Sequence, residues 1–150
     1  MSDTFEKNVE TLIRNFHDAY MKLDVDGTLS FFTEDTVWQV PEGMFKGKAE
    51  VKRYLTWAFK MNRQVKFKDA GIGLVVNGNK AVYEYMLEAV SYQGMKYETL
   101  GICIYEIDDG KIKQHTILHD RLSVAKQAAK GVVQKRVVNS LVNTMEKGLR

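Results

Sequence analysis

The stretch LVVNGNKAVYEYMLEAVSYQGMKYETLGICIYEIDDGKIKQHTILHD, residues 74–120, decides the fold of this chain. Three turn signals divide it, Asn77-Gly78, Gln93-Gly94 and Asp109-Gly110, and their glycines are spaced 16 residues apart. Long alternating or apolar runs lie between these signals, and Asn-Gly and Asp-Gly favour tight hairpins. From residue 65 onward, the sequence therefore predicts a meander of four antiparallel strands.

Two-residue turns would fix which side chains share a face of this sheet, because side chains alternate along a strand. This register places His115 opposite Ile104 and Ile117 opposite Ile102. The face predicted to pack against helices then carries Ala70, Ile72, Leu74, Ala81, Tyr83, Tyr85, Leu87, Ala89, Leu100, Ile102, Ile104, His115, Ile117 and His119. A one-residue bulge would move part of this set to the other face.

The residues before the meander predict three helices and one short strand. Apolar residues recur with helical spacing over residues 4–22, over a short segment at 28–32 and over 47–61. The β-branched and aromatic residues of 33–41 predict a strand that ends at Pro41. Helices followed by a long antiparallel sheet predict an α+β fold, with the three N-terminal helices on one face of the sheet.

Length and composition describe one globular domain. The chain has 150 residues, of which 45% are hydrophobic and 27% are charged, enough for a proper core. A single cysteine, Cys103, excludes an intrachain disulfide. The first residues lack the features of a signal peptide, and no apolar run approaches the ~20 residues of a membrane span. We therefore expect a soluble, cytoplasmic protein.

The predicted inner face is too polar to be core alone. It places two tyrosines and two histidines among aliphatic side chains: Tyr83, Tyr85, His115 and His119. A mostly apolar cavity with a few convergent polar groups is the usual form of a small-molecule site. The sequence therefore predicts a pocket for a small, largely apolar molecule.

Several motifs resemble the SnoaL-like polyketide cyclases and ketosteroid isomerases of the nuclear transport factor 2-like superfamily. They are an acidic-glycine turn after helix 1, a phenylalanine and acids around a short strand, and a glycine that opens helix 3: Asp24, Asp26, Gly27, Phe32, Glu34, Asp35, Trp38, Pro41 and Gly47. The segment DDGKIKQHTILHD, residues 108–120, resembles the family's last hairpin. We assign residues 1–122 to a SnoaL-like domain and 123–150 to a C-terminal amphipathic helical extension of that domain.

The resemblance implies a cone-like curved antiparallel sheet, a cone-shaped pocket between sheet and helices, and dimerisation through the outer face of the sheet. Activity does not follow from the fold alone, because this fold hosts many functions. The tyrosine and aspartate of the isomerases correspond to Phe16 and Val40, which can neither donate a hydrogen bond nor take a proton. The resemblance therefore disfavours ketosteroid isomerisation by that mechanism.

Two other family sites match in part. His115 matches the histidine of the cyclases, whereas the acid two residues later is Ile117 here. In scytalone-dehydratase-like members the helix-1 tyrosine matches Tyr20, and the acid that follows is Met21. No active site of the family is present intact.

We predict His115 as the catalytic proton-transfer group, because imidazole titrates near neutral pH; the alternative is a neutral histidine in the cavity wall. The predicted substrate-binding residues are Tyr20, Trp38, Tyr54, Tyr83, Tyr85, Ile102, Ile117 and His119. His115 and His119 lie about 13 Å apart along a strand, so we predict no metal site and no cofactor. Asp120 is interpreted as the N-cap of the following helix in preference to a catalytic acid.

The sequence thus predicts a protein that binds a polyketide- or steroid-like molecule. Acid/base isomerase, cyclase or dehydratase chemistry is the enzymatic hypothesis. A non-catalytic ligand-binding or sensing protein with the same cavity is the alternative.

The tail carries apolar residues in steps of three and four over residues 124–149, and it is strongly basic. From residue 121 to 150 there are seven Lys or Arg and one acid. We predict one amphipathic helix, with Gly131 as a weak point. The apolar stripe of this helix predicts packing against a second subunit, in a homodimer or higher homo-oligomer. Packing against the chain's own domain or a membrane surface are alternatives. An oligomerisation module is a third function class, and no nucleic-acid partner is predicted because no reading motif accompanies the charge.

Overall fold

The meander forms four of the six strands in one sheet. In the computed structural model, which describes residues 2–149, the first elements are α1 (Ser2–Met21), α2 (Val25–Leu29), β1 (Phe32–Val40), β2 (Gly43–Lys46) and α3 (Gly47–Lys60). The meander strands follow as β3 (Asn62–Asn77), β4 (Lys80–Ser91), β5 (Lys96–Asp108) and β6 (Lys111–His119). The chain continues with α4 (Arg121–Ala128) and α5 (Val132–Met145).

The predicted α+β fold is confirmed. The strand order is β2-β1-β6-β5-β4-β3, and neighbouring strands are antiparallel except for β1 and β6, which run parallel. Helices α1 and α3 pack against the sheet. Strand β2 is absent from the sequence-based prediction, because four residues are too few to show a period. It pairs with β1 across the Pro41-Glu42 turn.

The loop between β4 and β5 is one residue longer than predicted. Three residues, Tyr92–Gly94, separate Ser91 from Met95, and the Ser91 amide donates to the Met95 carbonyl at 2.8 Å. Gly94 has a φ of +86°, a left-handed conformation that suits the last residue of a three-residue hairpin loop. One extra residue in a hairpin turns every side chain of the following strand to the opposite face.

Strand β5 consequently faces the opposite way to the prediction. Cys103 and Tyr105 point toward the helices, and each is 1% exposed. The prediction that Leu100, Ile102 and Ile104 point toward the helices is wrong, since they lie on the outer face and are 38–47% exposed.

A β-bulge then restores the orientation of β6. Ile112 pairs with Ile107, whereas Gln114 pairs with Glu106, so Lys113 is an extra residue on β6. This shift cancels the shift from the preceding loop. The β6 side chains predicted to face the helices therefore do face them.

A stack of three rings across neighbouring strands lies at the centre of the core. The ring of His115 lies 4.4 Å from that of Tyr105 on β5 and 4.8 Å from that of Trp38 on β1, with interplanar angles of 17° and 20°. The three residues are direct cross-strand neighbours, so their ring spacing follows the ~4.8 Å separation of strands. Phe16 of α1 packs edge-on against all three rings. This stack fixes the helices to the sheet.

Two neutral histidines are buried in this core. Nε2 of His17 on α1 and the hydroxyl of Tyr105 form a hydrogen bond of 2.6 Å. Burial, with the Arg14 cation nearby, lowers the pKa of His17 to about 3 against the opposing effect of Asp69. Burial also lowers the pKa of His115 well below its usual value. Both imidazoles are therefore uncharged at neutral pH.

The tail forms two helices where one was predicted, and the break lies beside Gly131, the predicted weak point. The chain leaves helical geometry at Ala129, where ψ is 94°, and α5 begins after Gly131. Helix α4 packs on β5, whereas α5 has no buried residue. Along residues 2–149, no helix has both the length and the apolar character required to cross a membrane.

The buried histidines predict a loss of stability on mild acidification. Their pKa values are lower in the folded than in the unfolded chain, so below about pH 6.5 the unfolded chain takes up protons first. Their contribution is complete above pH 6.5 and is lost as the pH falls below this value, for His17 until about pH 3. Within this window, each histidine should lower the free energy of unfolding by about 1.4 kcal/mol for every unit by which the pH falls. The free energy of unfolding, measured by urea denaturation, should be about 3 kcal/mol lower at pH 5.5 than at pH 7.5 for the pair.

A variant tests the assignment to these residues. Glutamine at position 17 keeps a polar group near Tyr105 and cannot be protonated, so His17→Gln should remove about half of the pH dependence. A free energy of unfolding that stays constant between pH 7.5 and 5.5 would contradict the prediction.

Candidate functional site

A cavity of about 430 Å³ opens between the inner face of the sheet and helices α1, α3 and α4. Strands β3, β4 and β6 supply an apolar wall of Val65, Phe67, Tyr85, Leu87 and Ile117. The helices supply Tyr20, Tyr54, Trp57, Ala58, Val124 and Ala125. Polar groups are few, and they include Glu42, Asn62, Thr99, His119 and Arg121. The arrangement suits an apolar molecule held by a few polar contacts.

Five of the nine predicted site residues line this cavity: Tyr20, Tyr54, Tyr85, Ile117 and His119. They come from α1, α3, β4 and β6, so the fold brings together residues that are distant in sequence. Their contacts with a ligand stay predictions.

The other four predicted residues do not line the cavity. Trp38 is 0% exposed within the ring stack, and Ile102 is on the outer face because of the longer loop before β5. Tyr83 is directed to another part of the sheet, where its hydroxyl donates to Asp69 at 2.9 Å. His115 is 1% exposed between Trp38 and the neighbouring tyrosine. The prediction that these side chains face the cavity is wrong.

His115 therefore differs from the proton carrier that the sequence predicts. Among the described residues neither ring nitrogen has a hydrogen-bond partner, and burial disfavours the protonated form. A group that acts as acid or base must reach the proton that it transfers. A catalytic role of His115 stays a prediction, and it would require a path to the cavity.

Tyr85 owes its position to Gly101 on the neighbouring strand. The two residues are cross-strand partners, and a Cβ atom at position 101 would lie 2.4 Å from the Tyr85 hydroxyl oxygen. Only glycine leaves room for the phenol to lie across β5. Burial raises the pKa of Tyr85, and burial likewise raises the pKa of the adjacent Cys103 thiol to about 12. Both groups are neutral at physiological pH.

Two further phenols face the cavity without partners. Neither the hydroxyl of Tyr20 nor that of Tyr54 forms a hydrogen bond with another residue in the part of the chain that the structure describes. Burial raises the pKa of both groups. They are therefore neutral and able to donate a hydrogen bond to a carbonyl or hydroxyl of a bound molecule.

His119 is the histidine that reaches the cavity. It is half-buried, and burial is the main cause of its lowered pKa. Glu42 and Asp120 raise this pKa, and Arg121 lowers it. A neutral imidazole beside neutral phenols can accept a proton from a bound molecule. Within residues 2–149, no three His, Cys, Asp or Glu side chains are arranged to hold a metal ion.

Helix α4 is a wall of the cavity that sequence reasoning missed. Asp120 caps it by accepting from the Ser123 amide at 2.9 Å, which confirms the predicted N-cap. The Gln127 side chain joins it to β5, because its amide donates to the Glu98 carbonyl and accepts from the Glu98 amide, at 2.7 and 2.9 Å. The predicted cap was the available signal that a helix begins here. No feature of the sequence indicated that this helix packs beside the cavity.

Comparisons with known proteins agree with this fold. Residues 13–115, over half of the chain, match the SnoaL-like domain family. No match is found among curated proteins.

Similar crystal structures share the fold at low identity. One is an NTF2-like protein from Burkholderia pseudomallei, with 14% identity, a TM-score of 0.72, and coverage of 82% of this chain and 98% of that one. TerC, co-crystallised with polyporic acid, has 18% identity, a TM-score of 0.71, and coverage of 82% and 99%. A protein with a ketosteroid isomerase-like fold from Catenulispora acidiphila, in complex with trimethylamine, has 10% identity, a TM-score of 0.71, and coverage of 80% and 93%.

These likenesses establish the fold, and the family match covers α3 and strands β1–β5 of the described structure, while α4 and the end of β6 lie beyond it. The chain therefore belongs to the SnoaL-like domain family.

Proposed function

We propose that this protein binds a small, largely apolar molecule of polyketide- or steroid-like character in the cavity between sheet and helices. The observation that carries the proposal is the cavity itself, about 430 Å³ lined mainly by aromatic and aliphatic side chains. Small-molecule sites have typical volumes of about 300–1,000 Å³. TerC and the Catenulispora acidiphila protein, which share the fold, were crystallised with small molecules.

Filling the cavity should abolish binding. Ile117 lines the cavity, and Leu118 beside it points to the opposite face and is 55% exposed. Ile117→Trp should weaken binding of N-phenyl-1-naphthylamine, a neutral fluorescent molecule, roughly tenfold or more, or about 1.4 kcal/mol, because the indole would occupy the space that the dye needs. Fluorescence titration of the unmodified protein and of the variant measures the two affinities.

The matched variant Leu118→Trp should bind the dye as the unmodified protein does. Equal affinity of the unmodified protein and Ile117→Trp would contradict binding in this cavity. Native mass spectrometry of the purified protein would identify a molecule that co-purifies.

Acid/base chemistry on the bound molecule is a second candidate function, in which the protein is an isomerase, cyclase or dehydratase. His119 favours it, because a neutral imidazole lines the same cavity as the unpartnered hydroxyls of Tyr20 and Tyr54. The phenols would polarise a carbonyl while the imidazole takes the adjacent proton. These steps require only the chain's own residues.

Proton abstraction can be measured without the natural substrate. The α-proton of 2-tetralone, a bicyclic ketone, exchanges in D₂O, and NMR follows the loss of its signal. His119→Asn should slow protein-catalysed exchange roughly hundredfold, the usual range for loss of a general base. His115→Asn should have a smaller effect, because His115 lies outside the cavity.

The two variants separate the hypotheses. Loss of exchange in His115→Asn alone would support the role that the sequence predicts for His115. No exchange above the buffer rate would favour the alternative of a non-catalytic binding protein.

We further infer a homodimer that forms through the outer face of the sheet. Four large aliphatic side chains on the adjacent strands β5 and β6 are exposed on this face: Leu100, Ile102, Ile104 and Leu118. An apolar patch of this extent on a soluble protein marks an interaction surface. A self-complementary patch on one face suits a two-fold dimer.

Light scattering after size exclusion should therefore give twice the chain mass of 17.2 kDa. Ile102→Lys should shift the protein to the monomer, because a lysine at the centre of the patch would have to be desolvated without a partner. Removal of residues 130–150 should leave the dimer intact. A dimer that survives Ile102→Lys and is lost on truncation would instead support assembly through the C-terminal helix.

A further inference from the structure

Two arginines lie beside the cavity without partners. Arg121, the first residue of α4, lines the cavity, and Arg53 on α3 lines an adjoining groove of about 340 Å³. Neither guanidinium has a hydrogen-bond or ion-pair partner among the residues that the structure describes. Arginine binds carboxylate and other planar anions through two parallel hydrogen bonds, and it is weakly hydrated for a cation.

The groove continues the cavity across an aromatic rim. Tyr54 and Trp57 line both spaces, and the ring of Tyr54 lies 4.9 Å from that of Phe45 and 5.8 Å from that of Trp57. Trp57 is 49% exposed, although it borders two apolar spaces. A molecule longer than the cavity would cover this ring as it passes from the cavity into the groove.

We propose that the cavity and groove together bind an elongated, largely apolar molecule that ends in an acidic group, a carboxylate or an ionised enol. Arg121 and Arg53 bind this group at the rim. The inference rests on the ligand-binding function proposed above and adds the chemical class of the ligand.

Two guanidiniums and two carboxylates lie at the rim. Glu42 lines both spaces, and Asp120, next to Arg121, caps α4 by accepting from the Ser123 amide. Glu42 is exposed on the β1–β2 turn and has no ion pair with either arginine among the described residues. Neither carboxylate therefore neutralises a guanidinium by direct pairing, and both arginines stay available to an anion.

The backbone of α4, from which Arg121 projects, is fixed before any ligand binds. The Asp120 cap fixes the first turn, and the two hydrogen bonds between Gln127 and the Glu98 backbone fix the last turn against β5. Such preorganisation lowers the entropic cost of binding. The family match ends at residue 115, so this wall of the site lies beyond the matched segment.

A matched pair of fluorescent molecules tests the acidic group. 1-Pyrenebutyric acid and its methyl ester share the apolar body and differ in the charge at the end. The unmodified protein at pH 7.5 should bind the acid about tenfold more tightly than the ester, consistent with charge-assisted contacts to two arginines. Arg121→Gln and Arg53→Gln should each reduce this preference about threefold, and the double variant should remove it.

Two further variants are controls. Glu42→Gln should increase the preference for the acid, because it removes the opposing charge. Arg136→Gln, on the exposed helix α5, should leave the preference unchanged. A merely structural role of the two rim arginines would change the affinity for acid and ester together and leave their ratio constant.

The outcomes separate this inference from the function on which it rests. Equal affinity for acid and ester, or a preference that persists in the double variant, would overturn the acidic ligand. Binding of the ester that Ile117→Trp abolishes would still support the cavity as the site. If the ester did not bind the unmodified protein, the proposed binding function itself would fail.

Discussion

The alternation of side chains along β5 is the constraint on which the cavity depends. With the odd-numbered residues facing the helices, Gly101 leaves space for the phenol of Tyr85, and Tyr105 stacks on His115. A shift of one residue would replace this glycine with a leucine or isoleucine side chain and fill the space. The three-residue loop before β5 and the bulge on β6 impose opposite shifts, so β6 keeps the orientation that the cavity needs.

The inner face divides along β6 into a sealed part and an open part. His115 and His119 point to the same side of the sheet, about 13 Å apart for four residues of strand. His115 is buried among the rings of Phe16, Trp38 and Tyr105, whereas His119 reaches the cavity. Burial makes the first histidine part of the core, and its neutral state costs stability as the pH falls. Exposure to the cavity makes the second one available to a ligand.

Patterns within single elements predicted the fold, because helical and strand periods are local properties. The α+β order, the helix α3, the strand β1 and the Asp120 cap all follow from such patterns. The face assignment of β5 failed, because one loop residue and one bulge residue leave almost no mark in composition and yet reverse a whole strand. Five of the nine predicted site residues line the cavity, and Ile102 is among the four that do not, because it lies on β5. The rim residues Glu42 and Arg121 could not be found, because their positions depend on how a turn and a helix close over the sheet.

The two parts of the inner face are under different energetic constraints. Truncation of a ring in the sealed stack would leave a cavity that costs about 3–5 kcal/mol, so few substitutions are tolerated there. Exposed rim charges without partners contribute little to stability, since even exposed ion pairs are worth about 0–1 kcal/mol. Substitution of Glu42, Arg53 or Arg121 should therefore alter ligand choice at little cost in folding. The matched segment, residues 13–115, contains the sealed stack, while α4 lies outside it. Under the proposed ligand-binding function, the buried rings determine the fold and the exposed rim charges determine the choice of ligand.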